Sequence, residues 1–520
     1  MDKIRILWAD DEMDHLKPQL FFLEKKGFTI TTVSNGHDAL ATLDADPNYD
    51  LVFLDESMPG ISGLETLSRI KAKGLLFPVV MVTKNEAENI MEEAIGSQIA
   101  DYLIKPVNPN QLLLTIKKLI DNKRLVSEKN TMDYQIAFRQ LFMDITDRND
   151  YHKWVEIYKQ LIGWELKLDQ GKDPQIQDIL FQQKKEANVE FSKFILNHYA
   201  SWFKPNANAP IMSHQVMYEK VLKDVKDDVP TVFLLLDNLR FDQWKVIEPI
   251  ISEKYWIQSE DYFFSILPTT TQYSRNAIFS GMLPSEIEKF YPDWWINDNE
   301  EGGKNLKEPD LLANLIKRVI RRDIKHEYIK ITNAAKGKQL VDNALNLLKN
   351  NFTAIVYNFI DMLSHARTEM EVLKELASDE VAYRSLTRSW FLHSPLWVTL
   401  QKLAEFPIQL IITTDHGTMR VQDPSKVIGD KETTANLRYK VGKNLNYDKK
   451  DVLEIKDPAS VGLPRPNISS TFIFAKETNY FLYPNNYNHF LNYYKNTFQH
   501  GGISMEEMIC PIIKLKSKVG

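Results

Sequence analysis

Cysteine is almost absent. Cys510 is the one thiol in 520 residues, which rules out an internal disulfide and a cysteine-based zinc finger. No stretch approaches the ~18 uncharged apolar residues of a membrane span. The opening MDKIRILWADDE carries charges within its first residues and has no long apolar core, so a signal peptide is not expected. An excess of positive charge is also missing. The net charge is −6, which argues against a chain whose main task is coating nucleic acid while leaving room for a local basic cleft. No helix-turn-helix with a basic reading helix stands out. Nor is the composition that of a disordered chain, since 43% apolar and 26% charged residues are ordinary for a folded protein. These absences lead to the expectation of a cytoplasmic chain of folded domains, and the length suggests about three.

What is present is a repeated design. Thr231–Asp237 reads TVFLLLD, a run of branched and aromatic apolar residues that stops on a carboxylate. A polar, turn-like stretch, Asp227–Pro230, precedes it. Such a run reads as a strand buried on both faces. Thr353–Ile360 (TAIVYNFI) runs into Asp361, and Leu410–Thr414 (LIITT) runs into Asp415 and His416. Ligands in open α/β sheets sit outside the carboxyl ends of such strands. Strands that end in acid, or acid plus histidine, therefore make a converging metal-ligand pattern.

Residues 1–124 follow the same logic on a smaller scale. Strand-like runs at Ile4–Ala9, Phe28–Val33, Leu51–Leu54, Pro78–Val82 and Tyr102–Ile104 alternate with helical patterns, so a doubly wound parallel sheet is expected. Their ends carry Asp10, Asp11, Asp55, Thr83 and Lys105. Three carboxylates at one edge are costly without a hard cation among them, and Mg²⁺ suits them. Thr83 and Lys105 add a hydroxyl and a cation that would suit a phosphoryl group on Asp55. The motifs ADDE, FLDESMPG, MVTK and LIKP, in this order, resemble a two-component receiver domain. The resemblance implies that Asp55 accepts a phosphoryl group from a sensor histidine kinase, with Mg²⁺ held by Asp10, Asp11 and Asp55. It further implies Tyr102 as a switch aromatic coupled to Thr83, and a homodimer formed on phosphorylation to which the helix Gln111–Leu119 would contribute.

Residues 125–206 show no strand alternation. Apolar residues recur at helical spacing, as in Trp154, Ile157, Tyr158, Leu161 and Ile162, and Asp173-Pro174 has the residue types of a helix start. A central α-helical bundle of three or four helices is expected, with Trp154, Trp164, Phe181, Trp202 and Phe203 in its core. A turn-rich stretch, Lys204–Pro210, closes it. A helical module placed between two such domains is suited to passing on a dimerisation signal.

Residues 207–520 hold the remaining donors. Leu267–Asn276 reads LPTTTQYSRN and leads into a helical pattern that Gly281 ends. A helix start offers free N–H groups to a phosphate, and a hydroxyl there can attack phosphorus once a metal activates it. Asp361 and His365 lie four apart, on one face of a helical turn, and make a plausible zinc pair. His500 sits in a loop with Gly501 and Gly502. Together Asp237, Thr271, Asp361, His365, Asp415, His416 and His500 form a mixed nitrogen and oxygen set that suits two zinc ions, with Mn²⁺ as second choice. Two such metals would clamp the attacking and leaving oxygens of an in-line phosphoryl displacement. Arg275, about one turn past Thr271, is read either as a phosphate contact or as a surface charge. Trp294-Trp295 is read as packing in preference to base stacking.

The segments LLLDNLR, LPTTTQYSRNAIFSG, FIDMLSHAR, TTDHG and QHGGISMEEMICP resemble, as an ordered set, the PglZ branch of the alkaline phosphatase superfamily. The resemblance implies an alkaline-phosphatase-like α/β domain with zinc-dependent phosphodiesterase activity on cyclic and linear oligonucleotides. By it, one zinc takes Asp237, Thr271, Asp415 and His416, the other takes Asp361, His365 and His500, and Thr271 is the nucleophile. The order of receiver, helical module and PglZ-type domain resembles response regulators associated with type IX secretion. A competing reading keeps the metals structural and makes the chain a phosphorylation-controlled adaptor for a sigma factor or a secretion-system component.

Overall fold

A computed structural model describes residues 4–73, 75, 77–84, 99–147, 150–169, 174–320, 322–369, 379–430, 433–467 and 469–519. The side chains of 120–128, 174 and 365–369 fall outside that description. The chain forms two compact units, one running up to Gln135 and one from Ile136 onward. Among the described residues no helix is long and apolar enough to cross a membrane.

The first unit is a five-stranded parallel sheet, β1 (Arg5–Ala9), β2 (Thr29–Val33), β3 (Leu51–Asp55), β4 (Val79–Thr83) and β5 (Asp101–Ile104), in the order β2-β1-β3-β4-β5. Both β3 and β4 are buried along their whole length, as their unbroken apolar runs require. Leu7, Val52, Leu54 and Met81 pack on one face, with Leu67 and Ile70 of the helix Gly63–Ala72. Ile6, Trp8, Phe53 and Val82 pack on the other, with Leu112 and Ile116. Asn35 and Ser62 cap helices by accepting from the Asp38 and Glu65 N–H groups. The register pairs Ala9 with Leu54, so the chain leaves the sheet at Asp10 and Asp55 side by side.

The second unit is built on a six-stranded sheet. Its strands are β6 (Thr231–Leu236), β7 (Tyr255–Phe264), β8 (His326–Ile331), β9 (Phe352–Tyr357), β10 (Gln409–Thr413) and a C-terminal strand, Ile509–Ser517. The order is β7, C-terminal strand, β10, β6, β9, β8. The last four run parallel, while the C-terminal strand is antiparallel to both its neighbours. Every residue of β6 and β9 is buried. Leu235 pairs with Thr413 and Leu236 with Tyr357, so β6, β9 and β10 end at one level. One expected strand is shorter than its apolar run. Thr353–Ile360 leaves the sheet after Tyr357, where its partner β8 ends at Ile331. The chain then turns into the helix Phe359–Glu369, which puts Asp361 in that helix's first turn.

Residues 419–499 make an excursion of smaller sheets between β10 and the C-terminal strand. It closes where Met419 pairs with Gln499, and this returns His500 to the neighbourhood of His416. The helices Tyr151–Leu168 and Pro174–His198 belong to this second unit. They pack through Trp154, Ile157, Leu161, Phe191 and Ile195, all buried. Tyr158 meets Phe241, and Trp202 meets Phe264. Phe181 departs from the expected core, being 41% exposed. The helix Pro109–Thr146 runs unbroken through residue 124, where the receiver was expected to end.

Candidate metal centre

The three parallel strand ends gather the donors. Asp237 follows β6, Asp415 and His416 follow β10, and all three are fully buried. Their ligand atoms lie within 4.8 Å of one another. Thr271 begins a wide helical turn, Thr271–Arg275, that leads into Asn276–Ser280. Its Oγ1 lies 3.3 Å from Asp237 Oδ1 and 3.2 Å from His416 Nε2. A second group adjoins the first. His500 stacks on His416 with ring centroids 4.4 Å apart, and its Nε2 is 3.7 Å from Asp361 Oδ1. Asn238 links the groups, donating from Nδ2 to Asp361 Oδ1 (3.3 Å) and from its backbone N–H to Asp415 Oδ1 (3.3 Å). His365 lies one helical turn after Asp361, with its side chain outside the described residues.

The histidine tautomers are set by their other nitrogens. His416 Nδ1 meets the Gly417 carbonyl at 3.1 Å, and His500 Nδ1 meets the Thr269 carbonyl at 3.3 Å. A carbonyl only accepts, so each Nδ1 carries a proton, and in the neutral ring Nε2 is the nitrogen that offers a lone pair. His416 Nε2 then faces Asp415 Oδ2 at 3.8 Å and Asp237 Oδ1 at 4.0 Å. Acceptors face acceptors, and Asp415 Oδ2 and Asn238 Oδ1 are buried with no hydrogen-bond donor. A cation among these atoms would resolve the conflict, so the donor set fits a metal.

The electrostatics agree with crowding. Burial pushes Asp237 up, but Arg275 and then His416 outweigh it and hold the carboxyl below its ordinary range. Burial and the adjacent Asp237 charge drive Asp415 well above that range. Burial lowers His416, with Asp237 offsetting only part. Arg275 is neither a surface charge nor open to substrate. It is 1% exposed, donates to Asp237 Oδ2 at 2.6 Å and is anchored by Glu308. Two glycines permit the close packing. A Cβ on Gly417 would fall 2.0 Å from the Glu506 carbonyl, and Gly501 has φ +120°. The neighbouring threonines separate by partner. Thr269 Oγ1 donates to the Gly502 carbonyl and accepts from the Gly501 N–H, so it fastens the His500 loop. Thr271 alone of the three touches Asp237 and His416.

The first unit holds a smaller cluster. Ligand oxygens of Asp10, Asp11 and Asp55 also lie within 4.8 Å of one another. Asp10 and Asp55 are buried, while Asp11 is exposed. Lys105 Nζ sits between the two buried acids, 2.8 Å from each. Burial raises Asp55; the Lys105 hydrogen bond opposes this and the Asp10 charge adds to it. Thr83 is buried at the end of β4, and Tyr102 on β5 is half-buried against the core.

Three family models match the chain. One, the BREX system PglZ alkaline phosphatase-like domain, covers residues 216–515, more than half of the chain. The chain belongs to the PglZ alkaline-phosphatase-like family. Ahead of its PglZ domain it carries a match to the PorX response regulator linker domain over 124–203 and to the response regulator receiver domain over 6–117. Curated relatives align with the receiver. The transcriptional regulatory protein ResD of Bacillus subtilis is 31% identical over 119 residues, 23% of this chain and 49% of ResD. ZraR of Salmonella typhimurium is 33% identical over 122 residues, 24% of this chain and 27% of ZraR. The chain thus spans about half or less of the curated relatives it matches. Among solved structures, a CheY-like receiver from Methanospirillum hungatei is 26% identical, with a TM-score of 0.22, covering 23% of this chain and 96% of that one.

Several supports of the PglZ site lie beyond the reach of sequence reasoning. Asn238 carries one local signal, since an asparagine directly after a strand-end aspartate is where a left-handed residue would turn the chain, and its φ is +66°. Glu308 lies 33 residues from its partner Arg275, with no local signal. Arg438, inside the excursion, and Glu507, after it, form a buried pair. Trp295 is buried against Tyr273 and Trp294 stacks on Tyr291, in keeping with the packing expected of both.

Proposed function

We propose that the PglZ domain is a zinc-dependent phosphodiesterase whose activity is governed by phosphoryl transfer to Asp55. Its substrates are oligonucleotides or cyclic nucleotides, and its output serves control of type IX secretion. The supporting observation is the meeting of His416 Nε2 and buried carboxylates around the Thr271 hydroxyl, with His500 stacked alongside. Asp237, Thr271, Asp415 and His416 would hold one zinc, and Asp361, His365 and His500 the other. Bound zinc supplies Lewis acidity, neutralising the carboxylates and acidifying the nearby hydroxyl.

The chain's own residues then have definite tasks. Thr271 Oγ1 attacks phosphorus, forming a threonine–phosphate ester as the bond to the leaving alkoxide breaks. The alkoxide takes up a proton and departs as an alcohol. Water then cleaves the threonine ester, releasing a phosphomonoester and restoring the hydroxyl. Arg275 fixes Asp237 from below, and Asn238 spaces Asp361 from Asp415. In the receiver, Asp55 takes the phosphoryl group, Lys105 pairs with it, and Asp10 and Asp11 hold Mg²⁺. A receiver domain implies a sensor kinase as the phosphoryl source. Phosphorylation is proposed to drive a homodimer through Thr83 and Tyr102.

The test is hydrolysis of a phosphodiester and its matched monoester by zinc-loaded protein, beside Thr271→Ala. Diester cleavage lost in the variant supports the proposal. A monoester preference would overturn the substrate class. No turnover of either, with zinc bound, would favour the adaptor for a sigma factor or secretion component.

A further inference from the structure

The helix Pro174–His198 touches the PglZ domain at a sensitive place. Asn188, 1% exposed, turns its amide toward the short helix Met505–Met508. Its Oδ1 accepts from the Met505 N–H at 2.9 Å, and its Nδ2 donates to Glu506 Oε2 at 3.0 Å. Lys184, one turn earlier, reaches the other Glu506 oxygen at 3.2 Å. Both ends of one amide and both oxygens of one carboxylate are therefore engaged by direct contacts.

That short helix supports both metal-ligand loops. Its Glu507 carboxylate accepts from the Gly502 N–H at 2.9 Å and from Ser504 Oγ at 2.8 Å, which holds the loop just after His500. Its backbone also meets the other loop. The Glu507 carbonyl accepts from the Gly417 N–H at 3.2 Å, and the Glu506 carbonyl fills the place a Gly417 side chain would take. The segment anchored by Asn188 is thus the one against which His416 and His500 are set. On its neighbouring turn, Gln183 donates to the Phe138 carbonyl of the helix Pro109–Thr146 at 3.0 Å. One helix therefore grips both that preceding helix and the support of the metal loops.

We propose that Asn188 is a positioning residue of the metal centre, fixing from the linker helix the turn that carries the His416 and His500 loops. The proposal rests on the reading of those histidines as metal ligands. Groups that orient ligands from outside are typically worth ~10–100-fold in metal affinity. Asn188 acts through a short helix, so the lower end applies.

The experiment uses the full chain and zinc alone, in competition with a chromophoric chelator, together with hydrogen exchange of the 497–505 peptide. Asn188→Asp keeps the acceptor for Met505 but sets a carboxylate against Glu506. It should weaken zinc binding about tenfold and speed exchange in that peptide. Adding Glu506→Gln exchanges donor for acceptor and should restore both to near the original values. Unchanged affinity and exchange in Asn188→Asp would overturn the proposal, as would a weakened single variant that the second substitution fails to rescue. Should Asn188→Asp not fold, Asn188→Ser removes the reach without adding charge and is read the same way. If the unaltered chain binds no zinc, the metal reading fails, while the exchange measurements still decide whether Asn188 positions the loop.

Discussion

Two clusters of acids stand at the ends of parallel strands in one chain, and they manage their charge differently. In the receiver, Asp10 and Asp55 share the Lys105 ammonium and Asp11 stays exposed. The counter-charge is one lysine side chain, itself only 8% exposed. In the PglZ domain, Asp237, Asp415 and His416 are fully buried, and their counter-charge is an arginine held in place by Glu308. A lysine in a cluster whose third acid is exposed suits a cation and a phosphoryl group that come and go. A dehydrated nest with a fixed arginine suits a metal that stays. Under the proposed function, the same strand-end geometry would serve a transient switch in one unit and a resident centre in the other.

The sharpest break between them is chemical. Thr271→Ala should lower diester hydrolysis on the order of 10³-fold or more, with folding kept. Asp55→Asn should abolish phosphoryl uptake from a small-molecule donor and leave zinc content unchanged. A loss of zinc in Asp55→Asn would mean the two clusters are not separate devices.

Next in size is the fixed counter-charge. Arg275→Met leaves Asp237 buried without its guanidinium, while Glu308 keeps Lys330, and the loss costs about 3–5 kcal/mol. Lys105→Met, in a cluster whose third acid is exposed, should cost less. Urea unfolding of both variants checks the order, and equal losses would erase the contrast. Smaller again is Asp415→Asn. Without metal, Asp415 sits against Asp237 with one oxygen lacking any donor. The substitution should therefore stabilise the chelator-treated protein by about 1–3 kcal/mol and remove the protection that zinc gives the parent. A loss of stability in chelator would count against crowding as the organising feature.

The sequence made much of this legible because strand-end chemistry is local. TVFLLLD and LIITTDH each carry a buried run and the ligand that follows it, and their parallel pairing brings the ends together. Asp361 was readable for a second reason, its spacing of four from His365, though the strand before it ends three residues sooner than the apolar run. What stayed hidden depends on distant partners. Arg275 was open to two readings, a phosphate contact or a surface charge, because Glu308 and Asp237 could not be placed beside it from spacing. Asn188 lies in a plain amphipathic helix, and only the fold brings it to Met505, 317 residues away. The continuity of Pro109–Thr146 was hidden as well, since helical periodicity carries no mark where one compact unit gives way to the next.

The finest test of the contrast is the direction in which buried acids tie stability to pH. Asp55 is raised in the folded receiver, first by burial and then by the Asp10 charge. Between the ordinary aspartate value, about 4, and its raised folded value, the folded state keeps a proton the unfolded state has lost. Stability without Mg²⁺ therefore falls as pH rises through that window, and Asp55→Asn should flatten the fall. Glu165 in the second unit behaves oppositely. Burial pushes it up, but Lys184 and Arg384 outweigh burial and hold it down at about 2. Its contribution is complete above the ordinary glutamate value, about 4.3, and is lost as pH falls toward 2. Each group can change the slope by at most about 1.4 kcal/mol per pH unit, so native-state hydrogen exchange, which reads each unit separately, is the measurement to use. Glu165→Gln should remove part of the acid-side loss in the second unit and leave the receiver untouched. Slopes of the same sign in both units would mean that burial, and not the arrangement of counter-charges, governs the two sites.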